Sequence, residues 1–176
     1  ETLSVSLSSA SGASLGVTNQ TLTIQDASDR PSIGFSSASL SLAEDAATPM
    51  MTITLSNPSL TAVTALLTTT DVTATAGDDY TTISSQLITI PAEKTSVDVP
   101  LQFVNDAVYE GSETLTATLS SPTGGTLGIS SQTVTIADDE SGPEVSVQAG
   151  SVSVNENEGG WNLVVSLDKA SSMPVT

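Results

Sequence analysis

Glu113-Thr114-Leu115-Thr116-Ala117-Thr118-Leu119 alternates polar and apolar residues, and the acidic loop Asn105-Asp106-Ala107-Val108-Tyr109-Glu110-Gly111-Ser112 runs into it. Period-two alternation places every second side chain on one face, so the run reads as a strand with its Leu and Ala side inward. Glu1 to Leu7 repeats it: Glu1-Thr2-Leu3 matches Glu113-Thr114-Leu115, an offset of 112 residues. With that offset and no gap, Leu15-Gly16 meets Leu127-Gly128, Gln20-Thr21 meets Gln132-Thr133, and Ile24 meets Ile136. The match continues through Pro31 and Pro143, Glu44 and Glu156, Leu55 and Leu167, and Val63-Thr64 and Val175-Thr176. A period this long is a whole small domain rather than one turn of a solenoid. The joints fall at Pro31 and Pro143, which predicts 1–30 as the back of one unit, 31–142 as a complete unit and 143–176 as the front of a third.

Within the complete unit the alternation recurs at Leu40 and Leu42, at Met51, Ile53 and Leu55, and at Val63, Ala65 and Leu67. It returns at Ile88 and Ile90, along Val97 to Phe103, along Leu115 to Leu119, and at Val134 and Ile136. Turn chemistry separates the runs: Asn57-Pro58-Ser59, Ala76-Gly77-Asp78-Asp79, Pro91-Ala92-Glu93-Lys94 and Ser121-Pro122-Thr123-Gly124-Gly125. The expectation is an all-β chain of tandem immunoglobulin-like sandwiches with about seven strands each. Pro100 cannot donate to a ladder, which places its strand at a sheet edge.

Composition narrows function. Three Lys and Arg stand against twenty Asp and Glu, for a net charge of −17. Such a field repels nucleic acid and anionic lipid and attracts cations. Without His or Cys there is no thiol nucleophile, disulfide or zinc cluster, and no nucleophile–base pair is visible, so an enzyme is not expected. No apolar run is long enough to span a bilayer, so direct membrane insertion is not expected. The hydrophobic fraction of 38% at regular positions argues against disorder, and the aromatic content of 3% predicts an aliphatic core.

The carboxylates hold the chemical signal. In an up-and-down strand order, the loops after the odd-numbered strands share one pole. That brings together Glu44 after the first strand, Asp71 after the third, Asp106, Glu110 and Glu113 around the loop before the sixth, and Asp138, Asp139 and Glu140 after the seventh. Two carboxylates about 4 Å apart repel by roughly 4 kcal/mol at an effective dielectric of about 20. Several together hold protons or take up a cation, and an all-oxygen donor set selects calcium over zinc or copper, with magnesium the weaker option. Asp78 and Asp79 read instead as a turn beside a packed Tyr80.

Four motifs in order resemble the Calx-beta domain family: Ala76-Gly77-Asp78-Asp79-Tyr80, Thr89-Ile90-Pro91-Ala92-Glu93-Lys94, Val104 to Glu113, and Val134-Thr135-Ile136-Ala137-Asp138-Asp139. That family includes calcium-sensing domains of sodium–calcium exchangers and repeats of large bacterial surface proteins. The resemblance implies calcium held by Glu44, Asp71, Asp106, Glu110, Glu113, Asp138, Asp139 and Glu140, with the carbonyl of Val108 as a further ligand. Asn105 and Ala107 stand where the richest family sites carry Asp, so one or two ions are expected rather than four. The front piece keeps Glu1 and Asp26, with Asp29 nearby, so a weaker site is expected there, and the last piece keeps Glu156 and adds Glu158.

The function expected is that of calcium-stabilised spacer repeats in a large extracellular or cell-surface protein, an adhesin or a filament. The partners are then neighbouring repeats or, through the part-repeats, other copies in a filament. The alternatives are a regulatory calcium sensor, or a carbohydrate- or protein-binding module with Trp161 or Tyr109 as platform. Asn19-Gln20-Thr21 fits a glycosylation sequon but falls in the approach to a strand.

Overall fold

The computed structural model describes residues 2–24, 30–147, 150–157 and 159–176. Among them there is no helix, and no helix is long and apolar enough to cross a membrane. Glu1, Asp26, Asp29 and Glu158 lie outside the described residues.

The strands in chain order are β1 (Thr2–Ser6), β2 (Asn19–Thr23), β3 (Ser32–Phe35), β4 (Ser39–Ala43), β5 (Met50–Leu55), β6 (Val63–Asp71) and β7 (Gln86–Ile90). They continue with β8 (Ser96–Pro100), β9 (Glu113–Thr123), β10 (Thr126–Leu127), β11 (Ser131–Ala137), β12 (Val145–Val147) and β13 (Val165–Leu167). Two sheets form the central sandwich, one in the order β10-β3-β5-β8 and one in the order β4-β11-β9-β6-β7. The pairs β1-β2 and β12-β13 are separate two-stranded sheets.

The alternation explains the layers. Ile33, Met51, Ile53 and Val99 from the first sheet share one core with Val63, Leu67, Ile90, Leu115 and Val134 from the second. That core is aliphatic apart from Phe35 and the fully buried Tyr80. Thr and Ser occupy the intervening positions, where β-branching suits the pleat and the hydroxyls meet water. β8 is an edge strand, as Pro100 requires.

Two features depart from the sequence reading. The expected first strand, at Leu40 and Leu42, is β4, and a strand that the alternation does not mark, β3, precedes it in the other sheet. β3 pairs with β5, while β4 crosses over to run parallel to β11. The crossover at Ser36-Ser37-Ala38 is fixed by the buried Gln132, whose Nε2 donates to the Ser37 carbonyl at 2.9 Å, and by Thr133 N–H donating to Ala38 at 2.9 Å. The second feature is β9, which continues through Ser121 and Pro122, where local turn chemistry predicts a break. The register passes from Leu66 opposite Ser120 to Thr64 opposite Thr123, so two residues face Ala65. This bulge, with Ser121 at φ 50°, accommodates the N–H that proline lacks.

Backbone approach is tightest at β3. A Cβ on Gly34 would lie 2.6 Å from the Ile129 nitrogen, where Phe35 N–H donates to the Ile129 carbonyl at 2.8 Å. Gly34→Ala is therefore expected to destabilise the sandwich by about 1–3 kcal/mol, read as a lower urea midpoint. An unchanged midpoint would contradict this close packing.

Candidate metal centre

Four segments meet at one pole of the sandwich: the turn after β4, the loop after β6, the loop from β8 into β9, and the tail after β11. Parity delivers them there, because each leaves its strand at the same end.

Asp138 ties two of these segments together. Its Oδ2 accepts from the N–H groups of Glu110 at 2.9 Å and Gly111 at 2.6 Å, and its Oδ1 accepts from Glu140 N–H at 2.9 Å. Burial alone would push this carboxyl up, but the amides of Gly111, Glu140 and Glu110 together hold it below the ordinary aspartate value. Gly111 has φ 74°, and a Cβ there would stand 2.9 Å from the Met173 sulfur, so the residue suits the bend.

Around this knot the carboxylates form two groups. Glu44, Asp138 and Glu140 each bring an oxygen within 4.8 Å of the others, and so do Asp79, Glu110 and Glu113. Among the described residues, the neighbouring charges that act on these glutamates are all negative, and the carboxyls respond. Glu44 is pushed up to about 7 by burial, then by Glu140, Asp138 and Asp139. Glu113 is also pushed up to about 7, by burial and by its hydrogen bond and charge contact with Asp79, then by Glu110. Glu110 rises through burial, Asp79 and Asp106, and Glu140 through its hydrogen bond to Asp138. Glu44 Oε1 and Glu140 Oε2 are buried with no hydrogen-bond partner. Buried, unpartnered carboxyl oxygens facing one another fit a hard divalent cation, which takes oxygen donors and displaces their protons.

Five of the residues expected from sequence thus enter the groups: Glu44, Glu110, Glu113, Asp138 and Glu140. The others serve beside them. Asp71 Oδ1 accepts from the Tyr80 hydroxyl at 2.6 Å and from Ala76 N–H at 3.1 Å. Burial and this bond push Tyr80 up to about 12. Asp106 Oδ1 accepts from Val108 N–H at 2.7 Å, which shapes the loop. Asp139 adds charge beside Glu44 without joining a group. Asp79 does more than expected. Its Oδ2 closes the foreseen turn by accepting from Thr75 N–H at 2.6 Å, yet the residue also joins Glu110 and Glu113. Its neighbour in the motif, Tyr80, is buried as expected. Trp161 is 52% exposed, and Tyr109 is half-buried with its backbone bonded to the 170–172 segment.

The sequence profile of the Calx-beta domain matches residues 26–140. The chain belongs to the Calx-beta family. Solved Calx domains share the fold. The apo-form Calx CBD1 domain is 22% identical with a TM-score of 0.59, over 64% of this chain and 100% of that one. The calcium binding domain CBD12 of CALX1.1 is 21% identical with a TM-score of 0.58, over 76% of this chain and 56% of that one. CBD12 from CALX1.2 is 23% identical with a TM-score of 0.57, over 61% and 44%. This Calx-beta chain thus spans about half the length of the CBD12 chains. No curated protein matches it.

The raised carboxyls set a pH dependence. Folded Glu44 and Glu113 keep their protons up to about 7, while the unfolded chain loses them near 4.5. The stability they confer is complete below the unfolded value and is lost as pH rises through the folded one. With divalent cations chelated, the melting temperature is expected to fall between pH 4.5 and 7.5. Glu44→Gln and Glu113→Gln should flatten that fall, and a melting temperature that climbs across the window would contradict the assignment.

Proposed function

We propose that this Calx-beta chain binds calcium at the pole, with Glu44, Asp138 and Glu140 as the core of one site and Asp79, Glu110 and Glu113 as the core of a second. The observation that carries the reading is the pair of buried, unpartnered oxygens on Glu44 and Glu140, set among like charges. Asp106, Asp139 and the Val108 carbonyl would complete the donor set from the same loops, and Asp71 holds the buried Tyr80 through its hydroxyl. When bound, the ion supplies positive charge. The chain's own groups give up protons and fix the loops.

The role proposed is that of a spacer in an array of similar domains on an exported surface protein, with 1–30 and 143–176 as parts of the flanking units. The acidic, Lys-poor composition and the repeat support it. So does the contact beyond the pole. Tyr109, beside Glu110, donates its N–H to Ala170 at 3.4 Å and accepts from Ser172 N–H at 3.1 Å and from the Ser171 hydroxyl at 3.2 Å. Lys169 Nζ donates to the Ser141 hydroxyl at 2.5 Å. A cation that fixes the Tyr109 loop therefore stiffens its junction with the 169–172 segment. A regulatory sensor is the second reading, supported by likeness to the CBD12 structures. Asn105 and Ala107, which offer no carboxylate, weigh against it.

Calcium a hundredfold above its dissociation constant should stabilise the chain by about 2.7 kcal/mol relative to chelator. Glu44→Gln combined with Glu113→Gln should erase that gain. An identical melting midpoint in calcium and in chelator would discard the calcium reading. A dissociation constant of about 10⁻⁴ to 10⁻³ M is expected of the spacer, whereas one of about 10⁻⁷ to 10⁻⁵ M would favour the sensor.

A further inference from the structure

A free sheet edge presents unpaired backbone groups, so natural sheets guard their edges with charge, proline or short length. The central sandwich has four edges, at β10 and β8 in one sheet and at β4 and β7 in the other. Three of them are guarded: β10 is two residues long, β8 carries Asp98 and Pro100, and β4 runs straight into Glu44 and Asp45. The fourth, β7, reads Gln86-Leu87-Ile88-Thr89-Ile90 and has neither charge nor proline. Its one partner in the sheet is β6. Ile88 and Ile90 are buried in the core, whereas Leu87 and Thr89 are exposed on the outer face, Leu87 by 63%.

The surroundings of β7 suit an identical chain. A net charge of −17 repels a second copy, above all at the acidic pole. Along β7 that repulsion is missing: residues 80–92 hold no Asp, Glu, Lys or Arg, and Glu93 is followed by Lys94. Antiparallel pairing of β7 with itself about Ile88 sets Leu87 opposite Thr89 and Gln86 opposite Ile90. Side chains directly opposite one another on neighbouring strands are close enough to pack. A groove of about 370 Å³ beside the edge is lined, without charge, by Thr82, Ile83, Ser84, Gln86, Pro100 and Gln102. The same register runs Pro91 and Ala92 of the second copy past Ser85 and Ser84, at the rim of this groove.

We propose that β7 is a docking edge for β7 of a second copy of this chain, joining the two five-stranded sheets into one continuous sheet. Backbone groups supply the attraction, and alternate side chains set the register. The same strand serves on both sides, so the contact is isologous and closes at the dimer. It involves only residues of the central sandwich and lies on its side rather than at either pole, so it leaves the flanking units in place. It does not rest on calcium.

Sedimentation velocity of the full chain, from low to high micromolar concentration, tests it. A reversible dimer and nothing larger is expected. Leu87→Lys combined with Thr89→Lys sets two like-charged pairs across the contact and should weaken the dimer by about tenfold or more. Both side chains point away from the core, so this variant should keep the melting transition of the sandwich. A second variant, Leu87→Cys with Thr89→Cys, should oxidise to a covalent dimer, since the chain has no cysteine of its own. A wild-type chain that stays monomeric, a dimer as strong with the lysines as without, or cysteines that form no cross-link would overturn the proposal.

Discussion

One carboxylate organises the pole. Asp138 accepts three backbone N–H groups from two chain segments, which fixes the loop between β8 and β9 against the tail of β11. Charge-assisted bonds of this kind are roughly twice as strong as neutral ones. They also keep Asp138 ionised, so the negative charge remains in place while its neighbours are forced upward. The loop that Asp138 holds carries Glu110 into the second acidic group and bonds the 170–172 segment through Tyr109. The acidic groups and the junction beyond them thus hang on the same bonds.

The sandwich supplies the rigidity for this arrangement. Its two sheets bury an aliphatic core, and the crossover from β3 to β4, held by Gln132, carries Glu44 to the strand beside Asp138. Glu44 follows β4 directly, and its N–H donates to the Ala137 carbonyl at 3.0 Å, one residue before Asp138. Without the crossover, the chain would leave the first sheet some distance from β11, and the first acidic group would lose a member.

Much of this is legible in the residues. Strict alternation fixes which faces are buried, and strand parity brings the acidic loops to one pole. Glu44, Glu110, Glu113, Asp138 and Glu140 follow from that reading and are brought together. Three things are hidden. The crossover from β3 to β4 depends on a long-range bond from Gln132 to Ser37, which leaves no periodic trace. The extension of β9 through Pro122 depends on a bulge against β6, a property of pairing rather than of local turn chemistry. In sequence, Asp79 reads as a turn residue alone; that the same side chain also reaches Glu110 and Glu113 is visible only in three dimensions. Conversely, Asp71 and Asp106 look equal to the other acids in sequence, yet each has an oxygen committed to a local donor.

The central claim is that protons and calcium compete for the same carboxylates. Calorimetric titration of calcium into the metal-free chain near pH 6.5, repeated in buffers of different ionisation enthalpy, measures the protons released per ion bound. Glu44 and Glu113 lie near 7 in the metal-free fold, so binding should release protons at pH 6.5 and almost none at pH 9. Binding without proton release at pH 6.5, or no binding heat in any buffer, would contradict the account.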